Sequence, residues 1–224
     1  MAVVDYGAGN LLSVMRGLRA VGLEPEIVTS PDRLVRHDRI VLPGVGAFGE
    51  GIERLRSSGL AEALQERVAA DARLLGICLG AQLLMQWSEE FGRHEGLGFV
   101  PGGVTAIARD RRPGHPDDVR VPHVGWAPIK RIGDTAGTAL DAVSVGDWFY
   151  FCHSYACRPE VAGDEVLGID YEGRPIAAAI RRDNVVGVQF HPELSARGGI
   201  GVLARFALAA PAERPHQTAA RHGA

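Results

Sequence analysis

The chain has 224 residues, 46% of them hydrophobic and 23% charged, with a formal net charge of −3 at pH 7. That length holds one sizeable domain or two small ones, and the balance is that of a globular protein in water. A slightly acidic chain gives no electrostatic ground for nucleic-acid binding, and no apolar run approaches the roughly 18–20 residues of a membrane span.

The N-terminal "MAVVDYGAGN" lacks the basic flank and long apolar stretch of a signal peptide, and three cysteines are too few and odd in number for a disulfide framework. The expected setting is a reducing cytoplasm. In the first half, short β-rich runs alternate with helical patterns. "AVVDY" (2–6) reads as a strand, closed by the glycine turn "GAGN", and Leu11, Val14, Met15, Leu18 and Val21 then share one helical face. "EPEIVTS" supplies a second strand and "RIVLPG" (39–44) a third, running into a glycine-rich loop. Residues 50–70 are amphipathic and helical with a break near Gly59. "RLLGI" (73–77) is a strand of the fully buried kind, and "LGAQLLMQW" after it reads as helix.

The second half changes character. "LGFVPGGVTAIAR", "DWFYFCHSYACR" and "VLGIDYEGRPIAAAIRRDNVVGVQFHPE" read as strands, with "EGRP" and "RRDN" as hairpin turns. A last helix, "GIGVLARFALAA", precedes the polar, proline-interrupted tail "PAERPHQTAARHGA". No repeat or linker divides the chain. The expectation is a single α/β domain over 1–208 with a flexible tail over 209–224. Its mostly parallel central sheet is flanked by helices and carries an antiparallel extension from the second half.

Chemistry concentrates in a few places. Gly76-Ile77-Cys78-Leu79-Gly80 has the form of a nucleophile elbow, where glycines relieve the crowding of a strand that turns abruptly into a helix. The apex side chain then stands clear of the sheet, and the helix N-terminus favours a thiolate. Taken alone, the pentapeptide fits a structural cysteine ahead of a buried helix equally well. A thiol nucleophile needs a base, and the base an orienting acceptor. Of eight histidines, His123, His153 and His191 lie in apolar or strand-like surroundings, and only His191 has a carboxylate at a usable offset, Glu193 in "FHPE". Two residues apart in an extended segment, both would project to one side. The plain alternative is a surface turn set by Pro192. Elbow and His-x-Glu strengthen each other. "PGVGAFGEG" (43–51) leaves strand three at the same sheet edge, where its backbone N–H groups and that of Leu79 could face an oxyanion.

Other patterns fail. "GAGNLL" (7–12) lacks the third glycine or alanine of a dinucleotide loop, and Cys152, His153 and Cys157 match no common metal spacing. No metal or cofactor is expected.

Together, "DYGAGNLLSV", "LPGVGAFGEG", "GICLGAQLLMQWSEE", "PHVGWAPI", "YFCHSYA" and "VVGVQFHPELS" resemble the class I (triad) glutamine amidotransferases. Within them the chain looks most like the glutaminase subunits of imidazole glycerol phosphate synthases of histidine biosynthesis, over nearly its whole length. The resemblance implies a flavodoxin-like fold and hydrolysis of L-glutamine to glutamate and ammonia by Cys78, His191 and Glu193. It implies oxyanion donors at the Val45 and Leu79 N–H groups, and glutamine binding by Gly44, Gly46, Gln82, Glu90, Ser154 and Tyr155. It further implies a heterodimer with a (β/α)8-barrel cyclase that receives the ammonia, with Asn10, Trp126, Tyr150 and Leu194 facing that partner. Three positions depart from the family's pattern: Leu194 stands where the family has lysine in "HPEKS", Ala127 where it has the asparagine of "GWN" and, a milder change, Ala81 where it has the methionine of "GMQ". The expectation is an altered docking face around an untouched triad. A second reading is a paralogue supplying ammonia to a synthase for a surface sugar or specialised metabolite. A third is a stand-alone cysteine amidohydrolase or peptidase.

Overall fold

A computed structural model describes residues 1–107 and 119–208, so the tail expected over 209–224 lies outside the described residues. In chain order the first half forms β1 (Ala2–Val4), α1 (Leu11–Arg19), β2 (Glu26–Val28), α2 (Pro31–Leu34), β3 (Arg39–Gly44), α3 (Phe48–Ser57), α4 (Leu60–Ala69), β4 (Arg73–Cys78) and α5 (Leu79–Leu83). Then follow β5 (Met85–Ser88), β6 (His94–Glu95), β7 (Val100–Ala106), β8 (His123–Pro128), β9 (Lys130–Arg131), β10 (Trp148–His153) and β11 (Tyr155–Pro159). The chain closes with β12 (Glu165–Tyr171), β13 (Arg174–Arg182), β14 (Val185–Val188) and α6 (Ala196–Leu208). No helix among the described residues is long and apolar enough to cross a membrane.

The main sheet has eight strands in the order β2-β1-β3-β4-β14-β13-β12-β9. From β2 to β14 the pairs are parallel, and from β14 to β9 they are antiparallel. The parallel part has the doubly wound order in which ligands gather at the carboxyl edge of the strands. Successive residues of one strand serve opposite faces. Val3, Val41, Leu75 and Ile77 join the core under α1 and α6, while Ala2, Val4, Ile40, Leu42 and Leu74 join the core under α3 and α4. Strands buried on both faces must be apolar throughout, which is why "RLLGI" shows no alternation. The expected hairpins form: Glu172 and Gly173 (φ 49° and 78°) join β12 to β13, and Asp183 (φ 51°) begins the turn into β14. Gly59, at φ 73°, divides α3 from α4.

Three local expectations change, and one element is new. "LGAQLLMQW" is helical only to Leu83; Met85–Ser88 is strand β5, because Met85 pairs with Val100 and Trp87 lies over Gly103. A Cβ on Gly103 would sit 2.3 Å from the Trp87 ring, so this pairing requires glycine there. "DWFYFCHSYACR" is two strands: β10 pairs with β8 as a separate ribbon, and β11 pairs with β7 in a four-stranded sheet. Helix α6 starts at Ala196, three residues before the expected Gly199. Helix α2, with Pro31 at its first position, had no sequence expectation.

Among the described glycines, the closest backbone approach is where α5 crosses β3. A Cβ on Gly80 would fall 1.8 Å from the Leu42 carbonyl oxygen, whereas one on Gly163 meets nothing within 4 Å. Gly80→Ala should therefore destabilise the protein by about 3 kcal/mol or more, and Gly163→Ala by no more than about 0.5 kcal/mol, read from urea midpoints.

Candidate active site

Parallel strands end at one edge of the sheet, and three chain segments deliver the expected residues there. At the end of β4, Cys78 is held at φ 54°, ψ −111°, a left-handed conformation that a side chain tolerates only under constraint. Gly76 and Gly80 supply the constraint. A Cβ on Gly76 would lie 2.7 Å from the Gly80 carbonyl oxygen and 2.8 Å from Ala81, so the strand and the first turn of α5 touch through hydrogens. Gly44, at the end of β3, stands in register with Cys78 across the sheet. This brings the Val45–Gly46 loop beside the elbow.

His191 arrives from the other side of β4, three residues beyond β14. Its backbone N–H donates to the Tyr150 carbonyl at 2.9 Å, and the Ser195 hydroxyl donates to the His191 carbonyl at 2.5 Å, which fixes the main chain of this residue on both sides of its Cα. The Nδ1–Glu193 Oε1 distance is 2.8 Å. Residues 192–194 form a 3-10 turn, so the carboxylate reaches the ring by folding back instead of along the extended segment expected. Glu193 Oε2 is buried with no hydrogen-bond partner among the described residues.

With Nδ1 engaged, Nε2 is the atom left to face Cys78. Burial, the largest single influence, pulls the imidazole down. Hydrogen bonds to Cys78 and Glu193, with the charges of both, outweigh it and raise His191 from the usual 6.5 to about 10. The pair is thus set up as imidazolium beside sulfur. Helix α5 has only five residues, so its dipole contributes less to this charge than the sequence pattern implies.

Cys78, Leu79, Gln82, Val45 and Gly46 line a cavity of about 280 Å³ that opens over the elbow. Glu90, Ser154, Tyr155 and His191 close its other sides. Gly44 lies beneath the cavity, where a Cβ would meet the Tyr6 hydroxyl at 2.5 Å and Gly80 N at 2.8 Å. Glu90 accepts a 2.6 Å hydrogen bond from Phe48 N–H at the start of α3. The residues expected at a partner face lie apart from the cavity. Trp126 and Tyr150 are register partners with rings 6.0 Å apart, and Tyr150 in turn lies 6.4 Å from the His191 ring. Leu194 is 42% exposed. Asn10 caps α1, accepting from Ser13 N–H at 3.4 Å. Ala127 is 6% exposed and belongs to the core, because alternation along β8 turns it inward. Of these two departing positions, only Leu194 is therefore at the surface.

A glutamine amidotransferase class-I family model matches residues 2–210. The chain belongs to this family. Among curated relatives, "Imidazole glycerol phosphate synthase subunit HisH" of Sulfurimonas denitrificans is 37% identical over 206 residues, covering 92% of this chain and 96% of the relative. The protein of that name from Rhodopirellula baltica is 39% identical over 211 residues, covering 93% and 97%. Among solved structures, a chain of PurLQS from Thermotoga maritima superposes with a TM-score of 0.70 at 19% identity, covering 92% of this chain and 96% of that one. A crystal structure described as glutamine amidotransferase gives 0.69 at 18% identity, covering 92% and 99%. The family's doubly wound sheet is thus the fold of this chain.

Three polar residues in or behind this amidotransferase's pocket carry no role from the sequence. His153, which the sequence offers only in a failed metal pattern, lines the cavity, with His123 behind it. The Tyr155 carbonyl can only accept, so His153 Nδ1 carries the proton at 2.8 Å, and His153 Nε2 accepts from His123 Nδ1 at 3.2 Å. His123 is stacked between Phe151 and Tyr171, with ring centroids 5.1 and 4.0 Å away. Gln189 lies under the elbow, with Nε2 3.9 Å from Cys78 Sγ. Both histidines alternate with apolar neighbours as core residues do, and nothing local to them signals the pairing.

The pair has a pH consequence. Burial lowers His123 from 6.5 to about 4 and His153 to about 3. Groups kept neutral in the folded state take up protons on unfolding below 6.5, so their contribution is present above that value and is lost as pH falls towards 4. His191, raised to about 10, acts in the opposite sense: its contribution is full below 6.5 and disappears as pH rises towards 10. Thermal midpoints should accordingly fall on both sides of neutrality. His123→Phe, which keeps the ring stack, should lower the neutral-pH midpoint but flatten the decline between pH 6.5 and 4. An unchanged acid slope in that variant would remove the pair as its cause.

Proposed function

We propose that this chain is the glutamine-hydrolysing subunit of an imidazole glycerol phosphate synthase, working in histidine biosynthesis in the cytoplasm. One observation carries the proposal: in a chain whose relatives bear that subunit's name, a strained cysteine, an imidazole and a buried carboxylate align at the carboxyl edge of the sheet, over a cavity sized for a small amide.

Cys78 sulfur attacks the side-chain amide carbon of glutamine, and the carbonyl oxygen takes up the negative charge. The Val45 and Leu79 N–H groups stabilise that oxyanion. His191 gives its Nε2 proton to the departing nitrogen, so ammonia leaves and a thioester remains. The neutral imidazole then removes a proton from water, the hydroxide attacks the thioester, and glutamate is released with the sulfur and imidazolium restored. Glu193 holds the ring and balances its charge throughout. Gly44 and Gly46 shape the loop against the substrate. Gln82, Glu90, Ser154 and Tyr155 hold its α-amino and carboxylate ends.

Ammonia released into water is protonated and lost as a nucleophile, so the product needs a docked acceptor. That partner is a (β/α)8-barrel cyclase, and it seats on the β8–β10 ribbon with Asn10 and Leu194. One face of the ribbon presents Val124, Trp126, Trp148 and Tyr150, and the other is buried in the core. Leu194 gives this contact an apolar character, so the opposing surface lacks an acid there.

Alone, the chain should hydrolyse glutamine slowly, and its cyclase with bound ligand should stimulate it at least tenfold. Cys78→Ala should abolish glutamine-dependent synthesis while ammonium salts still support it. Loss of both routes together would make Cys78 structural, and full turnover of peptides without a partner would favour a stand-alone hydrolase. Leu194→Asp should leave the folding midpoint unchanged but weaken cyclase binding by about 1–3 kcal/mol, roughly 5- to 150-fold, measured by titration calorimetry.

A further inference from the structure

Three side-chain and backbone groups behind the elbow form a chain whose direction is fixed by its end. The Tyr155 carbonyl is an acceptor and nothing else. Gln82 must therefore turn its amide nitrogen towards it, and does so at 2.9 Å. The second N–H of that nitrogen reaches Gln189 Oε1 at 3.1 Å. With its oxygen so engaged, Gln189 can present only its own Nε2 to Cys78 Sγ, 3.9 Å away. Reversing either amide would bring two donors or two acceptors face to face. Gln82 and Gln189 are 5% and 2% exposed, so water is not positioned to repair such a mismatch. The other lone pair of the Tyr155 carbonyl takes His153 Nδ1–H, which leaves the anchor fully committed.

We propose that Gln189 is a further catalytic residue, an N–H donor that holds the Cys78 sulfur as thiolate, and that Gln82 is the positioning residue that dictates which end of the Gln189 amide faces the sulfur. Gln189 is buried and does not line the cavity, so its donor does not compete with substrate. Its interaction is strongest while the sulfur is anionic. It thus favours the attacking state and the sulfur's departure when the thioester is hydrolysed. The short helix behind Cys78 leaves this role open. Gln82 would serve two masters, glutamine on the cavity side and Gln189 on the other.

This inference rests on Cys78 being the nucleophile. The test measures the rate of Cys78 alkylation by iodoacetamide across pH in the intact chain, read on the Cys78 peptide by mass spectrometry so that exposed Cys152 does not interfere. Gln189→Met removes the donor at similar length. It should move the half-plateau of the rate to higher pH by about one unit, a roughly tenfold loss of reactivity near neutrality, with the high-pH plateau unchanged. Gln82→Met should move it in the same direction by less. Gln189→Glu keeps the volume and the bond from Gln82 and turns the second oxygen to the sulfur. It should shift the half-plateau further than Gln189→Met, and it decides the matter if the methionine variant does not fold. A half-plateau at the wild-type pH in the folded Gln189 variant, or a change confined to the plateau, would overturn the proposal. A wild-type chain that still hydrolyses glutamine after complete Cys78 alkylation would instead overturn the nucleophile assignment, whatever Gln189 does.

Discussion

Residue 80 can carry no side chain, because the first turn of α5 lies against the carbonyl of Leu42. That contact locks α5 onto β3 and makes the chain reverse within one residue of β4. The reversal drives Cys78 into positive φ and lifts its sulfur to the sheet edge. Everything at the site is referred to this crossing. Gly44 must face the elbow closely, which sets the loop carrying Val45, and His191 must come from β14 because that strand alone flanks β4 on the other side.

The same crossing explains how the charge is managed. A longer helix behind the cysteine would favour an anion through its dipole, but α5 ends at Leu83 because Met85 pairs into the β5–β7 sheet. The Cys78 sulfur is met by the imidazolium, whose charge is met by a carboxylate with almost no solvent contact. Such an arrangement is held by geometry, since a buried charge that lost its partner would be costly.

What could be read from the sequence depended on range. The parallel strands, the elbow and the His-x-Glu offset are local patterns, and steric or periodic rules written into a few residues describe them. "RIVLPG" matches β3 end to end. Methionine, glutamine and tryptophan at 85–87 suit a helix by propensity, and only their distant partners on β7 make them a strand. The break at Ser154 divides two sheets that the sequence presents as one run. Ala127 reads as a missing surface contact until the alternation of β8 turns it inward. The pairing of His123 with His153, and of Gln82 with Gln189 across 107 positions of sequence, leaves no mark on either local pattern. The resemblance to amidotransferases supplied the roles that spacing could not.

The β8–β10 ribbon is finished on one side only. Its inner residues, Phe149 and Phe151 among them, are sealed in the core, while two tryptophans and a valine on the outer side meet water. A lone copy therefore carries a greasy strip that any crowded compartment will try to cover. That strip is a liability to self-association, and it would show as clumping that no fault in catalysis would reveal.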